Sequence, residues 1–368
     1  MSNKSTITRK RALWIIVLCA AGWLCGCGKR DAGAPSVITS TTLRIATWNV
    51  ENLFDTANDP FNPGDDDYTP NGAMKWTEEV YRTKLNNLAE IIAKMKPDIL
   101  GLVEVENRRV LVDLQQTLAT AYDYHLPVIV HREGNDQRGM EVALLSKFQP
   151  TKTRWMIGNP TAREMICATF STGPSTLTII LCHWKSKLVP PGMTTPQVDA
   201  MRMREARVVR RAVERKLRRN PDAAILVMGD FNEDITSPIL TEAGGMQISR
   251  DALKAHPLRL YNLSADIPRF QRGTYYYHLK KVWNSFDSMS VSPGMLDATL
   301  KATWAVQEGS YSIFKYHKHL DINNTPKSFR LFRPKEGESY YIYGYSDHFP
   351  VMVTLERREK LSVVPLKN

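Results

Sequence analysis

The chain has 368 residues, 43% of them hydrophobic and 24% charged, and a formal net charge of +11. This is an ordinary globular composition with no internal repeat, so repeat arrays and low-complexity chains are excluded. The length permits two domains and equally one large α/β domain.

Lys4, Arg9, Lys10 and Arg11 precede an apolar run from Ala12 to Leu24 that is too short and wrongly flanked for a spanning helix. Residues 1–26 therefore read as a secretory signal. The run ends Leu24-Cys25-Gly26-Cys27, which resembles a bacterial lipobox with Cys27 as the acylated first residue. Cleavage nearby in an ordinary secreted protein is the alternative. Residues 27–41 are small and polar, as a tether would be. Gly28 stands after Cys27 where an inner-membrane retention signal would have Asp, so by that resemblance an outer-membrane or cell-surface location is expected. Losing the four basic residues of the leader lowers the formal charge from +11 to +7. A basic body favours an anionic partner without proving one.

Leu43 to Val50 alternates as a strand ending at Asn49, with Glu51 expected on the same face. A turn-rich insertion from Asp59 to Gly72 follows, and its acids Asp65 to Asp67 do not have EF-hand spacing. Thr77 suits an N-cap for a helix whose Tyr81, Leu85, Leu88, Ile92 and Met95 face a sheet. Ile99 to Val103 is a buried strand delivering Glu104. A helix is expected from Arg109 to Thr120, and strands from Tyr122 to Val130 and Met140 to Leu145. The polar loop between those strands places Arg138 beside Gly139, either against a phosphate or merely in a hairpin loop.

Cys167 and Cys182 lie on successive strands, as a disulfide or as buried thiols. The second strand runs into His183-Trp184-Lys185-Ser186-Lys187, a cluster suited to a phosphate. Val198 to Arg219 reads as a basic helix that covers a sheet with its aliphatic face and keeps its arginines in water. Ala224 to Met228 is apolar without alternation, a strand buried on both faces. Gly229 then turns the chain and presents Asp230 and Asn232, with Phe231 turned to the core. Later, Tyr275 to Tyr277 offer either stacking surfaces or packing, Phe286-Asp287-Ser288 opens a strand, and Tyr345-Ser346-Asp347-His348 opens the last. Residues 300 to 338 show no clean period and read as loops.

Taken in order, W-N-V-E, strand-Glu104, strand-His183, G-D-F-N, F-D-S and S-D-H resemble the endonuclease/exonuclease/phosphatase superfamily, from about Leu43 to Leu355. The resemblance implies an α/β fold of four layers, two packed mixed β-sheets flanked by helices, with the domain spanning residues 42–358 and a tail at 359–368. It implies a divalent cation at Asn49 and Glu104, with Glu51 nearby and Asp347 either in the metal group or fixing a histidine. Asp230 would orient or deprotonate the attacking water, with Asn232 steadying it or the phosphate. His183 and His348 would donate to phosphate oxygens, and Asp287 would support His348. Oxygen ligands suit Mg²⁺, with Mn²⁺ or Ca²⁺ able to compete. The H-W-K-S-K stretch, with Lys185, and the D-Q-R-G loop, with Arg138, are similar to those of secreted bacterial nucleases. A monomeric, lipid-anchored nuclease acting on DNA, or on RNA, is therefore expected. The competing readings are a phosphatase or phospholipase C-like hydrolase of a sugar or inositol phosphate or sphingolipid, and a surface protein that binds without catalysis.

Overall fold

In this computed structural model, residues 37–358 are described except 61, 135, 137, 160–162, 174 and 297–301. The segment expected to be a signal, Cys27, most of the expected tether, Gln137 and the tail from 359 lie outside the described residues.

The chain opens with β1 (Thr42–Leu53), α1 (Glu78–Met95), β2 (Ile99–Val105), α2 (Arg108–Tyr122), β3 (Val128–Val130) and β4 (Glu141–Ser146). There follow β5 (Lys152–Met156), β6 (Met165–Ser171), β7 (Thr176–His183), α3 (Thr195–Arg219) and β8 (Ala224–Asp230). Next come β9 (Met246–Gln247), α4 (Arg250–Ala255), β10 (Leu260–Asn262), a hairpin of β11 (Tyr275–Tyr277) with β12 (Val282–Asn284), and β13 (Asp287–Val291). The chain closes with β14 (Trp304–Val306), β15 (Ser312–Ile313), β16 (Arg330–Phe332), β17 (Tyr340–Ile342) and β18 (Val351–Arg357).

One sheet has the order β14-β18-β1-β2-β4-β3, with β15 also on β18; the second runs β5-β6-β7-β8-β13-β10-β9. Both are mixed: β1 is parallel to β2 and antiparallel to β18, while β8 is parallel to β7 and antiparallel to β13. Alternation sorts the layers. Ile45 and Val353 of the first sheet meet Leu181, Leu226 and Met228 of the second in a shared core. Trp48 and Leu102 point the other way, into a core with Leu85 and Leu88 of α1. Ile225 and Val227 pack on the opposite side, against Val209 and Val213 of α3. The result is the expected four-layer α/β sandwich, with β8 buried on both faces.

Caps define the helices. Thr77 Oγ1 accepts from Val80 N at the start of α1, and Asn107 Oδ1 from Val110 N at the start of α2. The expected strand from Tyr122 is corrected: Tyr122 is the last residue of α2, Asp123 closes it in the left-handed region, and only Val128–Val130 pairs with β4. Cys167 stands opposite Ile180 rather than Cys182, and both thiols are free and buried.

Gly229 shows why the strand that delivers Asp230 needs a glycine. Its φ is +136°, and a Cβ there would lie 1.9 Å from the carbonyl oxygen of Cys182 on β7. Gly229→Ala is expected to destabilise the protein by at least about 3 kcal/mol, as strain and overpacking combine; urea unfolding measures it, and an unchanged midpoint would refute this packing.

Candidate active site

The strand ends of both sheets converge on one rim. From the first sheet come Asn49 on β1, Glu104 on β2 and, just before β18, Asp347 and His348; from the second come His183 on β7, Asp230 on β8 and Asp287 on β13. Local backbone is strained there: Glu51, Asn52, Glu104 and Asn232 all have positive φ, between 50° and 66°. The β1–β2 register shifts between Asn49 and Leu53, so the simple alternation expected for Asn49 and Glu51 breaks. Glu51 turns away to accept from Ser328 Oγ and from Phe329 N at 2.6 Å.

Asn49 lies between two carboxylates. Its Nδ2 donates to Glu104 Oε1 (3.1 Å) and Asp230 Oδ2 (3.0 Å), while Oδ1 accepts from Glu51 N. In this orientation Asn49 bridges the carboxylates; flipping the amide would turn its oxygen, the atom able to ligate a cation, to the same point. Asp230 Oδ1 also accepts from Asn232 N at 2.8 Å, and Asn232 Nδ2 donates to Trp184 O. Phe231 is fully buried against Trp184. His183 Nε2 is 3.8 Å from both Glu104 Oε1 and Asp230 Oδ2. His348 Nδ1 meets Asp287 Oδ2 at 2.7 Å, and its Nε2 is 4.0 Å from Asp230 Oδ2 and from Asp347 Oδ1. Ser346 Oγ donates to Asn49 O and accepts from His348 N, which ties this loop to β1. The Tyr275 ring lies 4.8 Å from the His348 ring, while Tyr276 packs on Trp283.

The two histidines are driven in opposite directions. Burial disfavours charge on His348, yet Asp287, Asp347 and Asp230 outweigh it and hold its pKa well above the ordinary value. Burial pushes His183 well below its ordinary value, and the cations Arg163, Arg138, His348 and Lys185 push the same way. Burial with Asp287 nearby raises Asp230 to about 6, and burial likewise raises Asp347 to about 6, against the pull of His348.

The oxygen donors fit a hard divalent cation. Glu51, Glu104 and Asp347 crowd one side of the rim, and burial with Asp347 nearby raises Glu51 to about 8. Besides His348, which acts on Asp347, a buried compensating cation is Lys84 of α1, fully buried, donating to Tyr345 O at 2.8 Å and itself lowered to about 8 by burial. Asp230, Asp287 and His348 also bring ligand atoms within 4.8 Å of one another. There, however, His348 Nδ1 is already taken by Asp287, which leaves the Glu104–Asp347 side as the better cation seat. Lys84→Met is expected to strip about 3–5 kcal/mol from the metal-free protein, the cost of uncompensated buried charge, and added Mg²⁺ should recover much of it. Thermal unfolding with and without Mg²⁺ tests this; an equal loss in both conditions would contradict it.

Two functional candidates were missed in the sequence. Lys84 falls on the apolar stripe of α1, a signal that could have been read. Arg163 is 6% exposed and 3.5 Å from Asp136 Oδ2, and its charge reaches His183 and Lys185, but nothing in the sequence marks it. Arg138 is exposed on the β3–β4 loop, and Lys185 is half-buried with its backbone N–H donated to Glu205 Oε2. A cavity of about 990 Å³ beside Tyr311 and Asp266 contains none of these residues.

A rim that sets a buried neutral histidine among carboxylates and cations, with a charged histidine between carboxylates, is built for phosphoester hydrolysis. The Endonuclease/Exonuclease/phosphatase family model matches residues 44–357, and the chain belongs to that family of phosphoester hydrolases, which typically depend on a divalent metal. No curated protein matches the chain. Among solved structures it is similar to humanized D. rerio TDP2, with 14% identity, TM-score 0.51, and 86% of this chain and 100% of that one covered. It is similar to D. rerio TDP2 complexed with single strand DNA product, at 15% identity and TM-score 0.50, covering 86% and 100%. A mannosyl-6-phosphatase of Bacteroides thetaiotaomicron gives 16% and 0.50, covering 85% and 99%. At these identities the likeness concerns the fold.

Proposed function

We propose that the protein is a Mg²⁺-dependent phosphodiesterase, a nuclease acting on DNA in preference to RNA, exported and held to a membrane through a lipid on Cys27. The observation that carries the nuclease reading is the cationic flank of the site. Arg138, Arg163 and Lys185 all act on His183, and even with Arg163 paired to Asp136 they bring more positive charge than a single scissile phosphate requires. A polynucleotide supplies further phosphates to meet it. Similarity to a TDP2 bound to a single-stranded DNA product is compatible with this reading.

In this reading Asn49, Glu104 and Asp347 would hold the cation, which supplies charge neutralisation on the phosphoryl group when bound. Asp230 takes the proton of the attacking water, aligned by the fixed positions of Asn49 and Asn232. His348, kept cationic by Asp287, donates to a phosphoryl oxygen, and His183 donates as a neutral imidazole. Lys185 and Arg138 hold the substrate.

The test uses the protein from Ser36 onward, stripped with chelator and supplied with plasmid DNA, a phosphomonoester or sphingomyelin, with Mg²⁺ restored or withheld. Mg²⁺-dependent nicking that disappears in His183→Ala supports the nuclease reading. Phosphate release from the monoester without nicking replaces it with a phosphatase, and silence on every substrate favours a binding protein.

A further inference from the structure

Away from the rim, a groove of about 350 Å³ lies between the C-terminal half of α3 and the strand β5. Lys152, Arg154, Arg215, Lys216 and Arg219 line it, and no carboxylate does. Lys152 and Arg154 project from one face of β5, opposite Thr169 and Cys167 of β6. Lys216 crosses the groove floor to donate to Thr178 Oγ1 at 3.1 Å. Among the described residues none of these five cations forms an ion pair. The nearest acid on the helix, Glu214, is taken by Arg210 and Arg218.

The same helix carries a second row. Arg204, Arg207, Arg211, Arg215 and Arg218 are all exposed. Their spacing of three and four residues confines them to a sector of about 80° over about 21 Å of helix. This crest is opposite the face that buries Val198, Ala206, Val209 and Val213. Like charges at i,i+4, as in Arg207, Arg211 and Arg215, disfavour an isolated helix. A merely solvated face would interleave acids with its bases.

The helix that carries the crest is fastened beside the catalytic rim. Arg202 Nη1 donates to Lys185 O (3.1 Å) and Ser186 O (3.0 Å), and Glu205 Oε2 accepts from Lys185 N (2.9 Å). Arg204, the first exposed arginine, is on the same turn of the helix, on its outer face. Arg215 belongs to both crest and groove, so positive charge continues along the helix from that turn to β5.

We propose that the α3 crest and the groove it shares with β5 form a track for the sugar–phosphate backbone of a polynucleotide, several nucleotides from the bond being cut. This rests on the nuclease reading of the rim. A linear row of guanidiniums matches a chain of evenly spaced phosphates, and the groove accepts that chain where the row ends. A membrane surface is the poorer match. An interfacial helix needs large apolar side chains beside its cations, and none of the exposed large hydrophobics among the described residues is on α3.

The test compares the wild type with Arg207→Gln/Arg211→Gln/Arg215→Gln and with Lys152→Gln/Arg154→Gln. Chelated protein is titrated with labelled single strands of about 30 and about four nucleotides over a range of salt. The triple variant is expected to bind the long strand about tenfold more weakly, with the slope of log affinity against log salt shallower by about 2. The paired variant should show a smaller change of the same sign. With Mg²⁺ present, both variants should hydrolyse bis(p-nitrophenyl) phosphate and the short strand at the wild-type rate. Unchanged affinity and salt slope on the long strand overturn the track. So does lost binding to phosphatidylserine vesicles with long-strand binding intact, which would assign the crest to a membrane. If the wild type binds the long strand through the crest yet cuts no nucleic acid, the nuclease reading fails while the track stands.

Discussion

Asp230→Asn is expected to lower kcat by about 10²–10⁴-fold, the usual contribution of a positioned general base, while the metal-free protein becomes no less stable. The geometry supports both halves. Asp230 is 2% exposed, and its two oxygens are held by Asn232 N and Asn49 Nδ2, so the side chain cannot turn to solvent. Burial and the neighbouring Asp287 raise its pKa to about 6, against about 3.9 for an unfolded aspartate. A carboxyl raised on folding favours the native state below its unfolded value, and that advantage is lost as pH climbs through the folded one. Above pH 6 the ionised Asp230 therefore works against the fold. The asparagine keeps the shape and removes the charge, so Tm at pH 7 without metal should hold or rise while turnover collapses. Steady-state kinetics and a thermal scan on the same preparation decide it. A Tm that falls in step with kcat would make Asp230 structural.

Much of this was legible because periodicity and composition report on which face is buried. The unbroken apolar run of β8, the alternation of β1 and the stripe of α1 each follow from packing a strand or helix into a layer, and all three formed. Tyr122 misled because an aromatic residue beside a short apolar run has strand character, whereas its place in the structure was decided by Asp123 ending α2 one residue later. Buried cations were the larger loss. Lys84 in α1 and Arg202 in α3 both sit on the apolar stripes of their helices, where a periodicity reading steps over them. Each is buried because its partner is remote in sequence: Tyr345 O and the Glu51–Asp347 side for Lys84, Glu233 for Arg202. The break at Glu51 was illegible for a related reason. Its carboxylate is claimed by Ser328 and Phe329, from a stretch with no pattern of its own.

Asp287→Asn is expected to move the alkaline limb of the kcat/KM profile to lower pH by about 1–3 units, the range by which a removed neighbouring charge shifts a pKa, and to reduce kcat at pH 8. Asp287 Oδ2 is 2.7 Å from His348 Nδ1 and 1% exposed, so water does not screen the pair. Burial alone would neutralise His348; Asp287 is the largest of the carboxylate influences opposing it, ahead of Asp347 and Asp230. Without that charge the imidazolium loses its proton nearer its unfolded value of about 6.5, and the proposed donor to the phosphoryl oxygen becomes neutral in the working range. The asparagine amide can still hydrogen-bond Nδ1, so the ring stays in place and KM should change less than kcat. The same pair makes folding pH-dependent: its stabilisation is complete below about pH 6.5 and fades as pH rises through the elevated folded value. The variant should lose that dependence, which urea unfolding at pH 6 and pH 9 will measure. An unchanged alkaline limb would assign that limb to another group and remove His348 from the proton inventory. His183 gives the control. Burial first, and then Arg163, Arg138, His348 and Lys185, keep it neutral, and Asp287 is not among these influences. The two histidines are driven apart because three carboxylates overcome burial at His348, whereas burial and the cations act together at His183.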